Sequence, residues 1–256
     1  MKLFGKKYCN GTIEYWCASH IGNVRRINQD NISYDGKFLK PTHKNIFVKG
    51  KKKLDRNILF GVFDGIGGGE FGELASYIAA RKASELRMNN DVPLVLSNFC
   101  KNVNKDICDY AKSNDISSMG TTAALLVFAK DEIVLCNIGD SKIFRINNGN
   151  IEQISNDHVE ISPYGMKPLL SQYLGISSDE LIIEPYLARG KYNNDIYIIC
   201  SDGLTDMLTK DEIIEIVNTN NCENIINKLL EKALEKGGKD NISIIVCNVQ
   251  YKINMQ

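Results

Sequence analysis

No two cysteines in this 256-residue sequence form a CxxC pair, although there are eight cysteines in all. Most lie in apolar stretches such as VLCNIGD and IYIICSD. That placement reads as buried free thiols in a reducing compartment, and against disulfides or a zinc site. Net charge is also missing. Lys plus Arg and Asp plus Glu both number 31, so the chain as a whole has no basic field to recruit nucleic acid. No stretch approaches the roughly 18 apolar residues that a membrane span requires, and the N-terminal MKLFGKKYCNGTIEYW lacks the apolar core of a signal peptide. A cytoplasmic protein with neither membrane nor nucleic acid as partner is expected. Internal repeats, low-complexity linkers and breaks in composition are absent as well, which predicts one domain over 1–256.

Short apolar segments rich in β-branched residues predict strands at 12–19, 57–63, 121–129, 132–138, 142–147, 181–187, 195–200 and 241–249. Helical spacing links Phe71, Leu74, Ala75, Ile78 and Leu86, and then Val92, Leu96, Phe99, Val103 and Ile107. A third helix opens with a capping box of Thr209 and Glu212, and a fourth, through Ile225 to Leu234, stops at Gly237-Gly238. Two helices early and two late, with strands around each pair, predict helices packed over sheets. A doubly wound parallel sheet is the competing reading. Consecutive strands with hairpin-length turns in the middle of the chain argue for antiparallel pairing instead.

Three of the apolar runs carry an aspartate at a tip: Asp64 ends NILFGVFD, Asp202 ends DIYIICSD and Asp240 opens DNISIIVCNV. Antiparallel pairing can bring such ends to one rim, where like charges repel unless a cation sits among them. Hard oxygen ligands favour Mg²⁺ or Mn²⁺ over zinc. Taken singly, each aspartate also fits a solvated turn residue. Gly65, Gly67, Gly68 and Gly69 follow Asp64, more glycine than a strand-to-turn junction needs. No GKS or GKT comes after them, so they are not a phosphate-binding P-loop.

The blocks NVRRINQDN (23–31), FGVFDGIGG (60–68), MGTTAALLVF (119–128), CNIGDSKIFRI (136–146), SNDHV (155–159), CSDGLTD (200–206) and GGKDNISIIV (237–246) occur in that order. Together they resemble the metal-dependent type 2C serine/threonine protein phosphatases, bacterial branch, over nearly the whole chain. The resemblance implies an α+β fold, a four-layer α-β-β-α sandwich of two antiparallel sheets between helix pairs, with two Mn²⁺ or Mg²⁺ ions at one end. Residue by residue, it implies that Asp64 bridges the ions, Gly65 offers its carbonyl, Asp202 and Asp240 are direct ligands, and Asp30 holds a metal-bound water. Asp206 and Asp115 match acids that bind a third ion, and Arg25 sits at the place of the phosphate-binding arginine. A water activated by two metals needs no cysteine or serine nucleophile.

Three departures stand out. Ile66 replaces the histidine of the common DGHGG, Gln29 replaces a glutamate, and the flap-bearing segment from Asp157 to Tyr197 is short. His158, Asp140 and Ser141 read as structural, and Thr121 and Thr122 as ties for nearby backbone. Between Gly36 and Lys53 there are seven lysines and no acid. That stretch is expected to be an elongated, solvated hairpin, or alternatively a surface that steers acidic phosphoproteins. The expectation is a monomeric phosphatase acting on phosphorylated proteins, with a serine/threonine kinase among its partners. A non-catalytic phosphoprotein-binding relative and a phosphatase of small phosphate esters are the alternatives.

Overall fold

The computed structural model describes residues 10–66, 71–129, 132–160, 168–177 and 181–252. Along them run β1 (Asn10–His20), β2 (Asn31–Tyr34), β3 (Lys37–Phe38), β4 (Asn45–Lys53), β5 (Ile58–Phe63), α1 (Gly72–Ser84), α2 (Val92–Ser113), β6 (Ala123–Phe128), β7 (Ile133–Ile138), β8 (Lys142–Asn147) and β9 (Asn150–Gln153). Then follow β10 (Tyr186–Gly190), β11 (Ile196–Cys200), α3 (Asp202–Thr205), α4 (Lys210–Thr219), α5 (Cys222–Glu235) and β12 (Ile242–Lys252). One sheet has the order β4-β1-β12-β11-β8-β9 and the other β10-β7-β6-β5-β2-β3. Every pairing is antiparallel.

The two sheets share one core, where Ile13, Tyr15 and Ile245 of the first meet Phe60, Leu126 and Phe128 of the second. On the outer face of the second sheet, Ala75, Ala79, Leu96 and Phe99 of α1 and α2 pack over Leu125 and Val127. On the outer face of the first, Ile213, Ile225 and Leu229 of α4 and α5 pack over Trp16, Ile198 and Val246. The layers therefore run helix, sheet, sheet, helix, as the motif blocks imply, and the parallel alternative is excluded. This layering explains why AALLVF and IVLCNI are apolar throughout instead of alternating. β6 and β7 are buried at every position because both of their faces are covered. The capping box of α4 forms as expected, with Thr209 Oγ1 accepting from the Glu212 N–H and Glu212 Oε2 accepting from the Thr209 N–H.

Two expectations need correction. The segment predicted as a strand over 181–187 pairs only from Tyr186, because its first residues bond to a neighbouring loop: Gln172 accepts from the Glu184 N–H and donates to the Ile182 carbonyl. The lysine-rich stretch is not a hairpin. β3 ends the second sheet, β4 ends the first, and the chain crosses between them. The reason is in the sequence of β4, whose Ile46 and Val48 turn inward onto the shared core while its exposed positions alternate with them. Seven described cysteines are free thiols. Among the described residues no helix is long and apolar enough to cross a membrane.

Candidate active site

Register brings the candidate residues together. Asn31 pairs with Phe63, Cys200 with Ile244 and His20 with Ile242. Register aligns the start of β2 with the end of β5 in one sheet and the ends of β1 and β11 with the start of β12 in the other, and the Ser201–Asp30 and Gln29–Asn241 hydrogen bonds join the two sets at one rim. Asp30, Asp64, Asp202 and Asp240 flank those strand ends, and Arg25 lies in the β1–β2 loop above them. Arg25 Nη2 donates to Asp240 Oδ2 at 2.7 Å. Burial pushes the Asp64 carboxyl well above the usual carboxylate range, and the charges of Asp30, Asp202, Asp140 and Asp240 add to the effect. Asp30 is pushed up to about 7, first by burial and further by Asp202 and Asp240, against the hydroxyls of Ser201 and Ser243. Asp140, read from sequence as structural, does not sit in a hairpin turn, because the chain crosses there from β7 in one sheet to β8 in the other, and it is part of the acidic field around Asp64.

The backbone around these acids is fastened by side chains. Thr122 Oγ1 accepts from the Asp64 N–H at 3.0 Å, and the Asp64 carbonyl accepts from Thr121 Oγ1 and the Thr122 N–H, both at 2.9 Å. Ser141 braces Thr122 at 2.7 Å. These threonines are ties, as expected. Gly65 has a steric reason to be glycine, since a Cβ there would stand 2.4 Å from the Gln29 carbonyl and 2.5 Å from that of Gly72. Gly67, Gly68 and Gly69 lie outside the described residues. Asn241, which the sequence did not single out, clamps the arginine loop: its amide donates to Ile21 and Ile27 carbonyls at 2.8 and 3.0 Å and accepts from the Gln29 N–H at 2.8 Å. His158 donates its N–H to Gly139, and neighbouring Asp157 accepts from Lys142 and Gln153, which bears out a structural role for that block. The described part of the flap, 168–177, is bridged to the site through Leu174 and Thr121.

Four acids at one rim fit divalent cations in chemistry. Asp30 adds a specific sign: its Oδ2 accepts from Ser201 at 2.8 Å, while its Oδ1 is buried with no hydrogen-bond partner. Such an oxygen has a place for a cation or an ordered water. Among the described residues no three acidic, histidine or cysteine side chains close into a ready-made ion cage, and Asp240 is engaged by Arg25. Asp206 follows Asp202 by one helical turn, its N–H on the Asp202 carbonyl at 2.7 Å, which puts both on one side of α3. Asp115 lies on an exposed left-handed turn after α2, with φ 54°. Gln29 turns its amide towards Glu73 at 3.5 Å. Ile66 lies against Gly120, whose carbonyl accepts its N–H at 2.9 Å.

Known proteins share this arrangement of chain and sheets. The serine/threonine phosphatase stp of Listeria welshimeri is 28% identical over 248 aligned residues, covering 88% of this chain and 91% of the relative. The crystal structure of the Mycobacterium tuberculosis serine/threonine phosphatase PstP/Ppp superposes with a TM-score of 0.75 at 25% identity, covering 93% of this chain and 98% of that one. A second structure, the catalytic domain of PstP in complex with two manganese ions, superposes at 0.76 with 26% identity and coverage of 93% and 99%. The sequence model for Protein phosphatase 2C matches residues 48–236, and the chain belongs to that family.

Proposed function

We propose that this protein is a metal-dependent phosphatase that hydrolyses phosphoserine and phosphothreonine in cytoplasmic proteins, using two Mn²⁺ or Mg²⁺ ions. The observation that carries the reading is the gathering of Asp30, Asp64, Asp202 and Asp240 at one rim, with the Oδ1 of Asp30 buried and unpartnered. Asp64, the Gly65 carbonyl, Asp202 and Asp240 would hold the ions, Asp30 a water beside them, and Asp206 with Asp115 a third ion. Bound divalent ions supply Lewis acidity, which makes water acidic enough to attack phosphorus near neutral pH.

The chain's own groups do the rest. Arg25 is 42% exposed at its side chain, and its planar fork can grip two phosphate oxygens and balance the charge that spreads over them. The Thr121–Thr122–Ser141 ties hold Asp64 in place, and Asn241 fixes the loop that presents Arg25. The Ile66 side chain has no ionisable proton, so the leaving alkoxide is not protonated from that position. Substrate class follows the Listeria and Mycobacterium relatives, and a serine/threonine kinase is the natural source of the phosphorylated partner.

The test is phosphopeptide hydrolysis with Mn²⁺, with EDTA, and with Asp202→Asn. Turnover that EDTA removes, Mn²⁺ restores and the substitution abolishes is the expected result. Folded protein that binds Mn²⁺ and releases no phosphate would overturn catalysis and leave a phosphoprotein-binding role. Faster turnover of nucleotides than of phosphopeptides would move the substrate class to small esters.

A further inference from the structure

The crossing from β3 to β4 does more than carry lysines. His43, in the middle of it, reaches a buried chain of polar groups that ends on Asp30. His43 Nδ1 lies 2.8 Å from the Lys40 carbonyl, which can only accept, so Nδ1 carries the proton and Nε2 is the acceptor. Ser19 Oγ is 3.0 Å from that Nε2 and accepts from Ser243 Oγ at 2.9 Å. The N–H of Ser243 donates to Ser201 Oγ at 3.0 Å, and Ser201 Oγ donates to Asp30 Oδ2 at 2.8 Å. Asn28 closes the ring. Its Nδ2 lies 3.0 Å from Ser19 Oγ, 3.1 Å from His43 Nε2 and 3.0 Å from the Lys44 carbonyl, while its Oδ1 accepts from the Asp30 N–H at 3.2 Å.

Ser19, Asn28, Ser201 and Ser243 are each no more than 1% exposed. Buried networks of this kind are rigid only when every donor has an acceptor. Here the donors run in one direction, from Ser243 to Ser19 to His43, and the imidazole nitrogen is the last acceptor before the Lys40 carbonyl. Burial holds His43 below its ordinary value, in keeping with a neutral ring. Without that acceptor the Ser19 hydroxyl, surrounded by donors from Asn28 and Ser243, would have no partner for its own proton.

The geometry points to His43 as a positioning residue for Asp30, the acid that would hold a water beside the ions, acting through Ser19, Asn28 and Ser243 from a segment that contributes no ligand itself. The inference rests on the metal-centre reading above. It assigns the lysine-rich crossing a purpose beyond solvation: docking a remote edge of the fold under the floor of the site.

The experiment is calorimetric titration of the full chain with Mn²⁺ alone. Variants are His43→Leu, which removes the acceptor, His43→Gln, which restores one near the Nε2 position, and Ser19→Ala, which removes the donor. His43→Leu is expected to weaken Mn²⁺ binding roughly tenfold, the lower end of the effect of losing a group that orients a ligand. At saturating Mn²⁺ its KM for phosphopeptide should stay unchanged, and His43→Gln should bind within about threefold of wild type. Ser19→Ala with His43→Leu should be no weaker than His43→Leu alone, because both act along one path. If His43→Leu does not fold, the comparison of His43→Gln with Ser19→Ala still decides, as only the latter should weaken Mn²⁺ binding. Wild-type affinity in Ser19→Ala, or in folded His43→Leu, would overturn the inference while leaving the metal centre intact. Failure of the wild-type protein to bind Mn²⁺ would overturn both.

Discussion

Asp30 is a place where the demands of function and folding oppose each other, and replacing it with asparagine should show this. The residue is 1% exposed, and its carboxyl is pushed from an ordinary 3.8 up to about 7. At about 1.4 kcal/mol per pKa unit, keeping it ionised in the metal-free folded protein costs at most about 4 kcal/mol. The sign follows from proton binding. An acid with a raised folded-state pKa holds extra protons in the folded state, so the penalty is absent below about pH 4, grows through the interval and is complete above about pH 7. Asparagine removes the charge but leaves an amide donor beside Ser201, a loss of roughly 1 kcal/mol. Asp30→Asn should therefore stabilise the protein in EDTA by roughly 1–3 kcal/mol at about pH 7.5, and not at about pH 4.5. Urea denaturation at both pH values measures it. With Mn²⁺ the order should reverse, since a ligand that binds only the folded wild type adds stability by mass action. A variant destabilised equally at both pH values in EDTA would refute the idea of a buried charge penalty.

Arg25 is held by Asp240 at 2.7 Å, so it competes with a cation for that carboxylate. Arg25→Ala should lower kcat/KM roughly 100-fold, as loss of a group that binds developing charge does, yet Mn²⁺ affinity by calorimetry should not fall. In Gly65→Ala the new methyl meets two backbone carbonyls that cannot yield. Thermal unfolding should show a loss of roughly 1–3 kcal/mol, with phosphopeptide turnover impaired more than tenfold. Asp195 is fully buried at the other end of β11, paired with Arg145 at 2.8 Å and bonded to Asn147 and Tyr197. Burial alone would raise its pKa, but the Asn147 amide, the Asn193 N–H and Arg145 outweigh it and hold the group below the ordinary value. Asp195→Ala should cost about 3–5 kcal/mol and leave Mn²⁺ affinity unchanged, which separates loss of fold from loss of site.

Much of this protein could be read in one dimension. Apolar runs such as AALLVF and IVLCNI, the stripe along α2 and the capping box at Thr209 determine their elements locally, because burial and hydrogen-bond needs are set within a few residues. Asp64, Asp202 and Asp240 were legible for the same reason, each standing where an apolar run stops. Strands of low apolar content were not. NISY, KF and NIEQ form β2, β3 and β9 only because a neighbouring strand supplies the partners for their backbones. The lysine-rich stretch went to two different sheets because Ile46 and Val48 found a core between layers that no local pattern reveals.

The support of the site belongs wholly to tertiary structure. Ser201, Asn241 and Ser243 stand inside the motif blocks and His43 outside them, but nothing local names their partners, which lie as far away as Ser19 does from Ser243. Asp140 is an ordinary turn residue until the sheet places it beside Asp64. The chain determined which residues could bind a cation. Which of them share a rim, which oxygen is left bare and which hydroxyls aim it were decided by antiparallel register, which brings strand ends distant in sequence within hydrogen-bonding reach.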